Sequence, residues 1–207
     1  MQKTAANAAV FFYAAAMNEA HLFAIGLALA ALAGVRVYLT VFGVGLAGLM
    51  GWVDLPQALH VTSSYWVLGT AGTLALVEFF ADKIPGVDSG WDLLHTLLRI
   101  PVGAFLAAAT LSPDGDLGMG ALAAGAGIAT VTHVLKSASR ALINGSPEPA
   151  SNWAASLGED AVVVGGLSLA FAHPWLSLSL VLGLLLVVFG TVFWLARRLF
   201  AGLRRRA

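Results

Sequence analysis

The sequence predicts an all-α integral membrane protein with about six transmembrane helices. Three observations lead there. Of 207 residues, 59% are hydrophobic and 11% charged, against about 25% charged in an ordinary soluble domain. The mean hydropathy is +0.85. The apolar residues gather in stretches near the ~20 that a helix needs to cross a hydrocarbon core of about 30 Å. Lys and Arg balance Asp and Glu at 11 each, but the placement is uneven. The absence of Cys excludes disulfides, thiolate metal sites and Cys nucleophiles. The main basic run is at the C-terminus, so nucleic acid is not an expected partner.

Residues 1–18 hold one Lys and an Ala-rich stretch with Phe11-Phe12-Tyr13. They read as an interfacial segment, with Asn18 capping the first span; a signal peptide is the alternative, and its charged start would be weak. Residues 19–199 form one polytopic membrane domain and 200–207 a basic tail. The expected spans are 21–50, 65–82, 91–111, 118–143, 153–172 and 175–197. Turn chemistry separates them at Asp54-Leu55-Pro56, Lys83-Ile84-Pro85-Gly86, Ser112-Pro113-Asp114-Gly115, Ser146-Pro147-Glu148-Pro149 and His173-Pro174.

The first span is too long. A helix over 21–52 would run about 48 Å, and Gly34 and Arg36 lie near its middle. Two readings stay open: a helix broken at Gly34–Arg36, or a tilted helix whose Arg36 pairs with Glu159 or Asp160.

Orientation follows from the cations. Arg197, Arg198, Arg204, Arg205 and Arg206 assign the C-terminus to the cytoplasm, and six spans then bring the N-terminus to the same side. Lys83, Lys136 and Arg140 fall at cytoplasmic ends, whereas the outer segments 51–64, 112–117 and 173–174 carry Asp54, Asp114 and Asp116 but no Lys or Arg. Trp52, Trp66, Trp91, Trp153, Trp175 and Trp194 lie near span ends, as interface anchors do.

Two polar loops share a pattern. Asp82-Lys83-Ile84-Pro85-Gly86-Val87-Asp88-Ser89-Gly90-Trp91 and Asn144-Gly145-Ser146-Pro147-Glu148-Pro149-Ala150-Ser151-Asn152-Trp153 both read Asx-x-x-Pro-x-x-x-Ser-x-Trp, 62 residues apart. Val102-Gly103 then matches Val164-Gly165. This suggests a helix–loop–helix repeat over about 66–110 and 128–172, with both loops on the cytoplasmic face. The alignment sets Glu78 opposite Arg140, which predicts an ion pair between the units.

Ionisable residues inside the spans are expensive and mark function by default. Asp92, His95 and Arg99 share one helix face, as do His133, Lys136 and Arg140. Glu159 and Asp160 lie roughly 10 Å into the fifth span.

These residues also carry a resemblance. Gly34-Val35-Arg36-Val37-Tyr38, Asp82-Lys83-Ile84-Pro85-Gly86-Val87-Asp88, His133-x-x-Lys136-x-x-x-Arg140, Asn144-x-Ser146-Pro147-Glu148-Pro149-x-Ser151-Asn152 and Ser156-x-x-Glu159-Asp160 together resemble the bacterial membrane family catalogued as domain-of-unknown-function 4126, over about residues 20–195. The resemblance implies a multi-pass protein of the bacterial cytoplasmic (inner) membrane and no activity.

The function expected first is a carrier with a cytoplasm-facing cleft for a small anion or an anionic lipid head group, coupled to protons or cations. Arg36, Arg99, Lys136 and Arg140, with His95 and His133, would make its basic lining. Glu78, Asp82, Asp92, Glu159 and Asp160 would serve coupling, Lys83 and Asp88 would join them in binding the substrate, and Ser89, Ser151 or Asn152 would cap helix N-termini that attract an anion. A membrane-embedded enzyme acting on a lipid phosphate is the alternative. Asp82, Asp88 and Asp92 would then hold a metal ion, but no His-Glu-x-x-His, Gly-x-Ser-x-Gly or P-loop is present and no catalytic residue is assigned. A metal-cation channel and a structural protein held by buried ion pairs complete the set. No cofactor is expected. Gly26-x-x-x-Ala30-x-x-x-Gly34 and Ala121-x-x-x-Gly125-x-x-x-Ala129 are small-residue faces for close packing, within the chain or in a homodimer.

Overall fold

The computed structural model describes residues 19–84, 87–112, 117–144 and 149–204, with backbone only at 87–89, 91–94, 144, 149, 195–196 and 199–204. The expected interfacial segment 1–18, the end of the basic tail and the side chains of Asp88, Ser89, Trp91 and Asp92 lie outside the described residues.

Among the described residues every regular element is helical. In order they are α1 (Glu19–Val35), α2 (Val37–Leu49), a 3-10 helix (Gln57–Ser63), α3 (Tyr65–Ala81), α4 (Val87–Thr110), α5 (Met119–Asn144), α6 (Pro149–Ala172) and α7 (Pro174–Arg204).

The first apolar stretch is a broken helix. Gly34 weakens the helix, and Arg36 takes an extended conformation with φ −142° and ψ 87°. The Arg36 N–H still donates to Leu32 O at 2.9 Å, closing α1, and its carbonyl accepts from Thr40 N at 3.0 Å, opening α2. The Thr40 hydroxyl adds a second bond to that carbonyl at 2.8 Å. Arg36 is therefore the whole connector.

α1 is apolar on all sides, and 12 of its 17 residues are buried. A helix with no polar face belongs in the middle, and α4, α5, α6 and α7 pack around it. Small residues permit the approach. Gly26 lies against Ala107 and Thr110 of α4, and Gly34 against Ala129 and Thr132 of α5. A Cβ on Gly125 would sit 2.7 Å from the Gly103 carbonyl. Both small-residue faces read from the sequence are thus consumed within one chain. On α6, Gly166 meets Leu32, while Gly165 faces open space.

The 51–64 segment does more than connect. Gly51, at φ +67°, turns the chain after α2, and Val53, Leu55 and Leu59 bury into the core beside Ile25, Val44 and Val163. Ser63 donates to Gly45 O at 3.0 Å. Ser64 then caps α3, accepting from Val67 N at 3.4 Å, and the 3-10 helix and α3 meet at a 63° bend.

Met119–Ile143, Ala150–Ala172 and Pro174–Trp194 are each long and apolar enough to cross a membrane, and the bent 3-10–α3 pair makes a fourth candidate. α1 and α2, at 17 and 13 residues, are shorter apolar helices. Trp52, Trp66, Trp153, Trp175 and Trp194 all turn outward, as anchors would. α7 buries little of its surface and presents Leu180, Leu182, Leu186 and Val187 outward.

Candidate functional site

Four helices and the α1–α2 break deliver charged groups to one buried cluster. α3 brings Glu78 and, at its C-cap, Asp82 followed by Lys83. α4 brings His95, Thr96 and Arg99; α5 brings His133, Lys136 and Arg140; α6 brings Asn152, Ser156, Glu159 and Asp160. The i, i+3 and i, i+4 spacings align each set on one face. The extended backbone at Arg36 supplies the remaining cation from the molecule's centre.

Arg36 is almost wholly buried. Its Nη1 lies 3.0 Å from Asp82 Oδ2, and its Nη2 donates to Ser156 O and Oγ at 3.0 and 2.9 Å. Its Nε faces Asp160 Oδ1 at 3.1 Å and Glu159 Oε2 at 3.4 Å. Both open readings of the sequence are therefore met in part: the helix is broken, and Arg36 does face Glu159 and Asp160.

Asp82 is the hub. Its Oδ2 accepts from Lys136 Nζ at 3.1 Å, faces Arg36 at 3.0 Å and lies 3.5 Å from Arg140 Nη2. Arg140 also donates through Nε to Glu159 Oε1 at 2.8 Å and through Nη1 to the Asp82 carbonyl at 3.1 Å. Lys136 is 3.3 Å from Glu159 Oε2. Several kcal/mol of desolvation per ion oppose such burial, and the multiplicity of partners offsets it.

Glu78 departs from expectation. Its Oε1 accepts from Arg99 Nη2 at 2.6 Å, with Lys136 at 3.9 Å, while Arg140 goes to Glu159 and Asp82. The predicted Glu78–Arg140 pair does not form. The alignment compared positions along two helices, whereas the pairing follows which helix faces pack, and Glu78 on α3 meets α4.

The histidines sit at the edge of this network. Arg99 Nη1 lies 3.0 Å from His133 Nδ1. Because guanidinium only donates, Nδ1 accepts and the proton resides on Nε2, which donates to Thr96 Oγ1 at 2.7 Å. His95 Nε2 is 2.7 Å from the Tyr38 hydroxyl. Lys83, beyond the end of α3, donates to Phe79 O at 2.8 Å and Ser156 Oγ at 3.4 Å. Burial pushes its ammonium below the ordinary value; Asp160 opposes this and Arg36 adds to it.

The helix-cap reading needs correction. α6 starts at Pro149 and α4 at Val87, so Ser151, Asn152 and Ser89 lie within first turns. Pro149 suits the first helical position, where its missing N–H costs nothing. Asn152 is fully buried and turns its carbonyl and Oδ1 to Arg140 Nη1, both at 3.4 Å. Ser151 is half-buried near the helix start. Asp88 and Asp92 lie on the first turns of α4, with side chains outside the described residues. Among the described residues no three acidic or His side chains gather as metal ligands, and Asp82, a candidate for that role, turns to cations.

The site residues assigned from the sequence left out Ser156, Tyr38 and Thr96, although Tyr38 and Ser156 stand in the motifs that carry the resemblance. Ser156 stands three and four residues before Glu159 and Asp160, a same-face signal that was legible. Tyr38 and Thr96 carry no same-face spacing of that kind; Tyr38 meets His95 and Thr96 meets His133, each histidine brought by another helix.

A family described as Domain of unknown function (DUF4126) matches residues 23–197. The chain belongs to this family. The match takes in every element from α1 to most of α7, and with them the whole cluster. No curated protein matches the chain, and no solved structure does. Family membership agrees with the resemblance in the motifs and assigns no activity.

Proposed function

We propose that this chain is a membrane carrier that takes an oxyanion, free or as the head group of a lipid, at the cations converging on Asp82. The observation that carries the reading is that Arg36, Lys136 and Arg140 all lie within 3.5 Å of one oxygen, Asp82 Oδ2. That oxygen occupies the place an anion would take. Asp82 sits at the C-cap of α3, where the helix gives way to a turn. A shift of this one residue would leave three donors aimed at a common point, which is how a preorganised oxyanion site is made. The chain would cross the membrane six times, with both termini and both Pro-containing loops at the cytoplasmic face of the inner membrane. α1–α2 would count as one broken span, with its charged connector facing the polar cluster, as broken helices of transporters do.

The test is transport by purified protein in liposomes. One arm follows uptake of labelled inorganic phosphate; the other follows movement of fluorescent phosphatidic acid between leaflets. Uptake without lipid movement identifies a free anion, and the reverse a lipid head group. Arg36→Gln and Glu159→Gln should abolish the transport while leaving the protein inserted. A charge-assisted hydrogen bond of about 1.5–3 kcal/mol corresponds to a roughly ten- to hundredfold weaker anion affinity in Arg36→Gln. Wild-type activity in both variants, or none in either arm for the wild type, would overturn the carrier reading and leave the cluster as a device that fixes helix packing.

A further inference from the structure

We infer that Asp160 is the proton-binding site of this carrier and that the proton is its co-substrate. The inference rests on the carrier reading for the word co-substrate, but the proton site stands on its own geometry.

A single Arg36 N–H serves two carboxylates. Nε faces Asp160 Oδ1 at 3.1 Å and Glu159 Oε2 at 3.4 Å, and is in hydrogen-bond geometry with neither. One hydrogen cannot satisfy two anions. The two acids differ in what else they hold. Glu159 has Arg140 Nε at 2.8 Å and Lys136 Nζ at 3.3 Å. Asp160 has only the shared Nε within ion-pair distance; one buried oxygen without a hydrogen-bond partner is common to all four acids, Oδ2 in Asp160 and Oε2 in Glu159. It is therefore the least compensated carboxylate of the cluster, beside an acid of like charge. Its side chain is also the most exposed of the cluster's four described acids, at 21% against 14% for Glu159 and at most 1% for Glu78 and Asp82. Of the four carboxyls it is the one least enclosed by protein.

The charges around it define the coupling. Arg36 approaches from the α1–α2 break, Lys83 and Asp82 from the end of α3, and Glu159 from its own helix. Behind Glu159 stand Lys136 and Arg140 of α5. α2 and the 174–196 part of α7 carry no charged side chain. When Asp160 takes a proton from water it becomes a neutral acid. Arg36 Nε is then left to Glu159, and the cluster gains one positive charge. The anion is held more tightly when the proton is bound, and by linkage the proton is held more tightly when the anion is bound. Proton and anion would travel together, as a symport.

The experiment is infrared difference spectroscopy of the full-length protein in liposomes during an acid titration. A protonated carboxyl gives a C=O band distinct from carboxylate. The chain's other acids protonate in the same titration and contribute their bands in every variant, so the wild type should gain one band that Asp160→Asn lacks and that Asp160→Glu shows at a shifted frequency. The glutamate variant keeps the charge, so it remains informative if the asparagine variant folds poorly. Binding of inorganic sulfate, whose own charge is constant over the range, supplies the coupling readout. Wild-type affinity should rise as pH falls by up to about tenfold per pH unit, and Asp160→Asn should stay flat within about twofold. Acid-difference spectra that are the same in the wild type and both variants would overturn the assignment. If the band behaves as expected but sulfate and phosphate do not bind, the proton site stands and the carrier reading fails. If anions bind and the band does not follow Asp160, the carrier reading stands and the proton site fails.

Discussion

Replacing Arg99 with Met should expose how much the buried pairs contribute, because Glu78 depends on it almost alone. Arg99 Nη2 lies 2.6 Å from Glu78 Oε1, with both side chains essentially inaccessible. The next cation, Lys136, is 3.9 Å from that oxygen but only 3.1 Å from Asp82 and 3.3 Å from Glu159. In an effective dielectric of about 20, charges 4 Å apart still attract by about 4 kcal/mol, so Lys136 softens the loss without replacing the hydrogen bond. Stranding a buried charge costs about 3–5 kcal/mol, and this backup places Arg99→Met near the lower end, at about 3 kcal/mol. The double variant Glu78→Met/Arg99→Met removes both charges, and apolar replacement of a buried pair is often near neutral. Its expected cost is about 1–2 kcal/mol. His133 loses the same donor in the Arg99 single and in the double variant, so that term cancels in the cycle. With Glu78→Met also costing about 2–3 kcal/mol, the coupling comes to about 4 kcal/mol. Reversible unfolding in mixed micelles measures all four corners. A coupling below about 0.5 kcal/mol, the scatter of independent sites, would refute the claim that this pair is mutually dependent.

Three further outcomes are expected. Gly34→Ala forces a methyl into Thr132 and the Ala129 carbonyl and should destabilise by about 1–3 kcal/mol, whereas Gly165→Ala, which opens into free space, should gain about 0.5–1 kcal/mol from helix propensity; thermal unfolding of both variants checks the contrast. Burial lowers the Lys83 ammonium below its ordinary 10.5, so in the window between the lowered value and 10.5 the unfolded chain binds more protons and stability rises with pH. That rise is at most about 1.4 kcal/mol per pH unit, and it should be missing from Lys83→Met when the two are unfolded side by side across alkaline pH. Finally, the chain has no Cys, so single cysteines at the exposed Ser64 and Leu117 should label from one side of the membrane and one at Ala207 from the other; labelling of all three from one side would overturn the six-span topology.

Much of this architecture was legible because membrane segments announce themselves. The helices over 65–81, 119–144 and 149–172 follow apolar runs bounded by Pro and Asp, and the excess length of the first run was enough to single out Gly34–Arg36. The cluster's membership was also legible: Arg36, Glu78, Asp82, Arg99, Lys136, Arg140 and Glu159 all stand out as costly charges, and they meet. Their pairing was not. Arg99 rather than Arg140 takes Glu78 because of how α3 leans on α4, a packing fact with no local signature. The cap assignment failed for a related reason: Ser-x-Trp looks like a helix start, but Pro149 could begin the helix two residues earlier. The 3-10 helix after Leu55 was hidden because its apolar residues are too few to form a run, and its seating depends on α2 leaving room for Leu55 at Gly48 and for the Thr62 carbonyl at Gly45.

The central position of α1 bears on how the protein is made. The ribosome releases this helix early, yet it is the one that α4, α5, α6 and α7 must enclose. Arg36 leaves the ribosome 120 residues before Ser156, whose carbonyl and hydroxyl it will bind. At about 5–20 residues per second, that interval lasts roughly 6–24 s. For that time an arginine worth about 2.5–3.5 kcal/mol of insertion penalty at mid-bilayer has no α6 to bind. The break at Arg36 gives the nascent chain two short apolar segments in place of one charged span. They can wait at the membrane surface or in the translocon until Asp82 and then α6 arrive, so the last steps of synthesis, rather than the first, would seal the charge inside.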